Sequence, residues 1–326
     1  MVNIVLPTNE ERRLSFFLAM EEYVARCLDV GEAFFVWRVP ASVIFGRNQL
    51  VHNEVNIGYC KDHGIGMYRR KSGGGCVYAD MGNLMMSFIA ESPSVQFTYH
   101  QYVMLVLGAL KSLGIQAKAT GRNDLMVGEG KVSGSAFYHV NGKGIVHGTL
   151  LYDTDTDNMS ACLTPDTRKM ESKGVKSVRQ RVSLLKDHTS LSLDEIERGI
   201  VSHLCKEQLL LKQEEVEKIE ELEKTYLSED FIWGSNPRCT IVRKRYINNV
   251  GLVEARINVK GGRIRDIDLK GDYIVTGDVE ALCARLKGVE LTPEAVRDAL
   301  PEDLSDIIYN LNNKELTNLI TETYGE

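Results

Sequence analysis

The spacing of apolar residues changes period several times along the chain, and each change marks an element. Across 9–29, Leu14, Phe17, Leu18 and Ala25 recur at helical spacing with charged residues between them, which predicts an amphipathic helix. The stretches 34–40 and 42–49 read as strands that meet at Pro40. A turn signal at Asp80-Met81-Gly82-Asn83 leads into a strand over 84–90, and 97–113 reads as a second helix ended by Gly114. From 117 to 152 the pattern is a set of strands, with Asn141-Gly142 as a hairpin turn because both residues tolerate positive φ. Residues 164–190 show no clear period and predict a long loop with short helical turns.

Further on, Ser192-Leu193-Asp194-Glu195 is a capping box that opens a helix, and a charged helix follows over 213–225. The stretch 239–274 reads as a meander of three strands, with turns at Asn248-Asn249 and Lys260-Gly261-Gly262. Helices are predicted over 276–288 and 292–300, the second with Thr292 as cap and Pro293 at its first position, and another from 301 or 302. A β-then-α unit of this size is a candidate second domain. The boundary falls within 240–248 and is drawn as 1–245 and 246–326. There is no internal repeat or low-complexity tract.

The 326 residues are 43% hydrophobic and 26% charged, enough for a sizeable core in one or two domains. A net charge of −6 argues against general nucleic-acid binding. Seven cysteines at irregular spacing do not form a disulfide framework or a zinc pattern, so a reducing, cytoplasmic setting is expected. No signal-peptide pattern opens the chain, and no apolar run reaches transmembrane length. P-loop, dinucleotide-binding, nucleophile-elbow and zinc-protease signatures are absent from the sequence.

The chemistry concentrates elsewhere. Arg69-Arg70-Lys71-Ser72-Gly73-Gly74-Gly75-Cys76-Val77-Tyr78 places three glycines inside a strand-like run. Such glycines weaken a strand, so something must approach the backbone closely there. A flanking arginine suggests that it is anionic or accepts hydrogen bonds. Gly121-Arg122-Asn123-Asp124-Leu125, then Gly130-Lys131-Val132-Ser133-Gly134-Ser135-Ala136, then His147-Gly148-Thr149-Leu150-Leu151 follow in order. Together with Ser172-Lys173-Gly174-Val175-Lys176-Ser177-Val178-Arg179-Gln180-Arg181-Val182 and Trp233-Gly234-Ser235-Asn236-Pro237, these motifs resemble the lipoate–protein ligase family.

That resemblance implies an α+β catalytic domain with mixed sheets and packed helices, like the biotin and lipoate ligases, plus a small C-terminal α+β domain. It implies activation of lipoate by ATP to lipoyl-AMP with release of pyrophosphate, then transfer to a lysine of an acceptor. The implied partners are lipoyl domains of 2-oxoacid dehydrogenase E2 subunits and the glycine-cleavage H protein; the implied cofactors are ATP and Mg²⁺. Lys131 is the implied catalytic residue. Arg70, Ser72, Gly73, Gly74, Gly75, Val77, His147, Gly148 and Thr149 would bind lipoate and its adenylate. Tyr78, Asn83, Asn123, Asp124, Lys131, Ser133, Ala136, Lys173, Val178 and Arg181 would lie at the nucleotide, with Asp124 as a metal ligand.

Each residue also has a plainer explanation. Lys131 alone could be a solvated loop lysine, and Asp124 serves equally well as a turn residue. A lone histidine is more often structural than catalytic, so His147 is expected to shape the acyl pocket rather than act as a base. Lys71 is expected to be solvated. The basic loop 168–186 would be an ordinary solvated charge run without the motif; with it, a cover over phosphates is implied, with Gly174 as hinge. Cys76, Ala79, Met85 and Val146 depart from the family pattern and could change pocket polarity or acyl preference. The main alternative is an ATP-independent octanoyl or lipoyl transferase that uses a thioester on Cys76 or Cys162. A biotin ligase would need an arginine–glycine loop that the sequence lacks, and an inactive scaffold would not need the intact motifs.

Overall fold

The computed structural model describes residues 1–91, 94–120, 123–164, 182–234 and 239–321. In chain order it contains β1 (Val2–Val5), α1 (Leu14–Cys27), β2 (Glu32–Trp37), β3 (Ser42–Phe45), α2 (Val51–Glu54), α3 (Ile57–Asp62), β4 (Gly66–Arg69), β5 (Val77–Ala79), β6 (Asn83–Glu91) and α4 (Val95–Ser112). It continues with β7 (Ala117–Thr120), β8 (Asp124–Val127), β9 (Gly130–Val140), β10 (Lys143–Leu151), α5 (Thr156–Cys162), α6 (Leu193–Leu204), β11 (Glu207–Leu210), α7 (Gln213–Leu227) and α8 (Glu229–Trp233). The C-terminal unit holds β12 (Ile241–Ile247), β13 (Gly251–Lys260), β14 (Arg263–Gly271), α9 (Val279–Arg285), α10 (Pro293–Ala299) and α11 (Asn313–Thr321).

The frame is an eight-stranded mixed sheet in the order β11-β1-β2-β6-β10-β9-β8-β7. Strand β1 runs parallel to both its neighbours, and the other pairs are antiparallel. A second sheet, β4-β3-β5, carries the glycine-rich segment between β4 and β5. This is the α+β architecture with mixed sheets that the sequence implies.

Alternation along the central strands explains why both faces are covered. In β6, Leu84, Met86, Phe88 and Ala90 pack with α4 and α6, while Met85 and Ile89 pack with α1 and α7. Side chains alternate across a strand, so a strand buried on both faces reads as a continuous apolar run. Helix α1 is buried on nearly every side from Leu14 to Ala25. It starts later than position 9 because Asn9 to Arg12 are polar and Arg13 holds an extended backbone as the N-cap. Strands β1 and β11 escaped the sequence pattern: each has four residues, too few to show a period, and they pair with each other in parallel.

The C-terminal unit is a three-stranded antiparallel sheet with its own core, as the meander predicts. Strand β12 runs through the division drawn at 245/246. Helix α10 has the expected Thr292 cap and Pro293 start. No helix begins at 301 or 302: Asp303 accepts the Ser305 N–H at 2.8 Å, a side-chain turn that competes with helix, and the next helix is α11. The unit docks through Gly271 to Ile274. The Gly271 N–H donates to the Asn48 carbonyl at 2.9 Å, the Gly74 N–H donates to the Tyr273 carbonyl at 3.0 Å, and Ile274 is buried in the core of the large sheet. None of the described helices is long and apolar enough to cross a membrane.

Candidate active site

The loop between β4 and β5 is built around one buried guanidinium. Arg70 Nε donates to Ser72 Oγ at 3.0 Å and to the Gly73 carbonyl at 3.1 Å. Its Nη1 donates to the Ile44 carbonyl, and its Nη2 to the Gly73 and Gly75 carbonyls, both at 2.7 Å. Arg70 makes no ion pair among the described residues, and burial pulls its pKa down to about 10. Burial likewise lowers Arg69 to about 10. Arg69 binds the carbonyls of Gly46, Arg47, Gln49, Ile232 and Trp233, and so ties the start of the loop to α8.

A chain of hydrogen bonds continues inward from Arg70. Ser72 Oγ lies 2.7 Å from His147 Nε2, and His147 Nδ1 lies 2.9 Å from Glu21 Oε2. Ser87 Oγ donates to Glu21 Oε1 at 2.6 Å, and Trp37 Nε1 donates to Ser87 Oγ at 2.8 Å. With Nδ1–H donating to Glu21, Nε2 accepts from the Ser72 hydroxyl, which in turn accepts from Arg70. The network fixes the imidazole and the loop together. On the far side, Lys71 pairs with Glu22 at 2.6 Å and lies over the Tyr226 ring. The expectation of a solvated Lys71 therefore fails: Glu22 on α1 holds Lys71 directly, while its neighbour Glu21 reaches Arg70 only through His147 and Ser72. Burial alone would raise the Glu22 pKa, but hydrogen bonds and charge from Lys71, Tyr226 and Arg26 outweigh it and leave it lowered.

The three glycines have different neighbours. A Cβ at Gly73 would stand 2.4 Å from the Tyr273 carbonyl oxygen, so the close approach there is made by the C-terminal unit's own backbone. Gly74 sits at φ +87, a region that disfavours side chains. Gly75 lines the pocket described next.

Lys131 comes from β9, where an irregular register against β8 aligns Met126 with Lys131 and Leu125 with Ser133. Its Nζ lies 2.6 Å from Asp124 Oδ1, with 19% and 13% of the two side chains exposed. The ammonium folds back over Gly134, whose added Cβ would meet Nζ at 2.6 Å. The glycine of this motif thus makes room for the lysine. The Ser183 N–H donates to the Lys131 carbonyl at 2.8 Å, so residues 182 and 183 lie along the backbone of β9 at Lys131. Of the expected residues, Lys173, Val178 and Arg181 lie outside the described residues, as do Gly121 and Arg122.

Lys131 and the glycine loop open into one pocket of about 460 Å³. Of the residues singled out in the sequence, Arg70, Gly75, Val77, Asn123, Asp124, Ala136, His147, Gly148 and Thr149 share its wall. Leu18, Trp37, Ile44, Met85 and Met126 form an apolar part of the wall that the motifs did not disclose. The C-terminal unit adds Tyr246, Asn248, Asn249, Gly251 and Asp272. Ser72, Gly73, Gly74, Tyr78, Asn83 and Ser133 stand off this wall. Tyr78, on β5 beside β3, is packed in a core cluster where burial pushes its phenol pKa up. Asn83 is buried at the start of β6, its Nδ2 on Thr154 Oγ1 at 3.2 Å. Ser133 is buried beside β8.

Residues 14–205 match the lipoyl protein ligase A/B catalytic domain, and residues 236–320 match the bacterial lipoate protein ligase C-terminus. The chain belongs to the lipoate–protein ligase family. It is 35% identical to lipoate–protein ligase 1 of Staphylococcus aureus over 93% of this chain and 95% of the relative. Among solved structures, it is 27% identical to the bi-partite lipoate protein ligase of Thermoplasma acidophilum, solved in a study that included its E2 lipoyl domain, with a TM-score of 0.64 over 74% of this chain and 100% of that one. It is 25% identical to a lipoate–protein ligase A bound with ATP, with a TM-score of 0.61 over 72% of this chain and 97% of that one. Of the four residues expected to depart from the family pattern, Cys76 and Met85 line the pocket, whereas Ala79 and Val146 are buried in the core.

Proposed function

We propose that this protein uses ATP to activate lipoate as lipoyl-AMP and then transfers the lipoyl group to a lysine of a lipoyl-domain acceptor. What carries this function is the meeting of the Lys131 ammonium, the Arg70 cation and an apolar wall in one pocket. The volume suits a small ligand held mostly by apolar contacts with a few fixed polar groups. The fatty chain lies along Leu18, Trp37, Ile44 and Met85, with His147 held by Glu21 beside it. Its carboxylate turns toward Lys131 and the buried charge of Arg70. Negative charge then grows on phosphate oxygens in the first step and on the acyl oxygen in the second, and an ammonium fixed between them assists both. Asn123 and Ala136 border the nucleotide.

Mg²⁺ fits here in one manner. Among the described residues there is no group of three carboxylate, histidine or cysteine side chains that could hold a metal. Magnesium in nucleotide sites needs one or two carboxylates because phosphates and water complete its shell. Asp124, on the pocket wall, would be the protein oxygen, and the ion would offset phosphate charge. The acceptor set extends in this proposal to E2 lipoyl domains and the glycine-cleavage H protein, in the cytoplasm.

A cysteine thioester route is disfavoured at Cys162, whose thiol is fully buried and pushed up to about 12 by burial and by Cys60. Purified protein supplied with ATP, Mg²⁺, lipoate and a lipoyl domain should release pyrophosphate only when lipoate is present, and the acceptor should gain one lipoyl mass. Acyl transfer from a carrier without ATP, with no lipoate-dependent pyrophosphate, would instead establish the transferase.

A further inference from the structure

One cross-strand row of the large sheet makes the floor of the pocket. Trp37 on β2 stands opposite Met85 on β6, and Met85 stands opposite Thr149 on β10. Gly134 on β9 stands opposite Asp124 on β8, and Asp124 opposite Thr120 on β7. The Gly134 N–H donates to Thr149 Oγ1 at 3.3 Å and joins the two halves of the row. All six residues line the pocket. Residues opposite one another in a sheet share a face. The row is therefore one strip, apolar at Trp37 and Met85 and polar from Thr149 to Thr120.

The two ends of the strip differ. It stops at Trp37, because β1 pairs with β2 only at Ala33 and Phe34. At the other end it reaches β7, the last strand of the sheet. Lys118, Ala119 and Thr120 are exposed there, whereas Ala117 packs on the core of the opposite face. Strand β7 pairs with β8 on one side, and among the described residues its backbone from Lys118 to Thr120 bonds to no other segment. An edge of this kind is a template for another strand. The opposite edge, β11, lies about 30 Å from it across the sheet. The edge strand β12 of the C-terminal unit reaches the pocket through Tyr246, but its Val242, Arg243, Lys244 and Arg245 are already engaged.

Transfer needs a lysine that belongs to another chain. A residue on a strand added outside β7, opposite Thr120, would share the face of the strip. It would stand two strand spacings, about 10 Å, from Asp124, the residue that holds the Lys131 ammonium. The four-carbon stem of a lysine placed there carries its amine inward along the strip. We propose that the acceptor docks by adding a strand to β7 and that its target lysine enters the pocket over Thr120. Main-chain hydrogen bonds supply the affinity in this mode, and alternate side chains supply the choice of partner. This inference rests on the ligase function proposed above.

Amide hydrogen exchange on the full chain tests the surface, with a lipoyl domain whose target lysine is replaced by alanine so that no transfer occurs. Peptides covering 117–120 should gain protection when the domain is added, and those covering 207–210 should not. Protection confined to other segments, or none at saturating domain, would overturn the inference. Protection of 117–120 that grows with the protein's own concentration, without the domain, would mean that a second copy pairs there and would overturn it too. Lys118→Pro and Ala119→Pro remove successive N–H groups, one of which faces away from β8. The variant that loses the outward N–H should transfer the lipoyl group to a lipoyl domain about tenfold more slowly, the effect of losing one or two hydrogen bonds. Its lipoate-dependent ATP–pyrophosphate exchange should stay within about twofold, as should capture of the lipoyl group by hydroxylamine, which needs no docking. Unchanged transfer in both variants, or a loss shared equally with hydroxylamine capture, would count against docking at β7. Should both prolines unfold the sheet, the protection measured on the unmodified chain decides. If the unmodified protein shows no lipoate-dependent exchange, the ligase function fails first, and that outcome is distinct from any of these.

Discussion

Replacing Gly73 by alanine tests how the two units meet. A Cβ at position 73 would lie 2.4 Å from Tyr273 O, 3.0 Å from Val275 N and 3.1 Å from Ile274 Cα. All three are backbone atoms, so no side chain can swing aside. Relief requires the 273–275 segment to retreat by about 1 Å, to ordinary contact distance. That movement stretches the 3.0 Å bond from the Gly74 N–H to Tyr273 O and draws Ile274 out of its core. Overpacking costs about 1–3 kcal/mol, and a lost hydrogen bond adds about 0.5–1.5 kcal/mol. Docking should therefore weaken by about 2–4 kcal/mol. Amide hydrogen exchange reads this locally, because a loss of about 2 kcal/mol speeds opening roughly 30-fold. Peptides containing Gly74 and Gly271 should lose protection in Gly73→Ala, while the β6 and β10 peptides keep theirs. Unchanged protection at Gly74 and Gly271 would refute the backbone contact as the reason for this glycine.

Two further outcomes follow from the same geometry. Gly134→Ala puts a methyl where the Lys131 ammonium lies, with no φ strain of its own; pyrophosphate exchange should fall about tenfold or more while the unfolding midpoint changes little, and an unaltered exchange rate would show that the ammonium works from another position. Brief treatment of the folded protein with a thiol alkylating reagent at neutral pH should leave Cys60 and Cys162 unmodified by peptide mass analysis, since burial first of all raises both thiols; rapid labelling of Cys162 would contradict its packing.

Sequence reasoning reached the site where the chemistry sits in contiguous motifs. The Arg70 loop, Lys131 with Asp124, and the His147 strand were all legible, and they share a pocket. The apolar wall of the pocket was not, because Leu18, Trp37 and Met85 look like any other apolar core positions. One signal was available and unused. Leu14, Phe17, Leu18 and Ala25 define the apolar stripe of α1, and position 21 falls on that stripe. A glutamate there must be buried and must find partners; Glu21 finds His147 and Ser87. The glycine triplet was correctly read as a place of close approach, but Gly73 is met by protein backbone. Which distant segment would arrive there depends on tertiary docking, and no local pattern encodes it. Asp272 was hidden for the same reason.

The central claim is that the Lys131 ammonium drives formation of the mixed anhydride. Lipoate-dependent ATP–pyrophosphate exchange by Lys131→Ala measures it directly, with lipoate affinity and circular dichroism as controls on the pocket and fold. Loss of one such donor from the reacting oxygens costs about a hundredfold to a thousandfold in rate. Exchange should drop by at least that much, with lipoate still bound. Exchange near the unmodified rate would contradict the account.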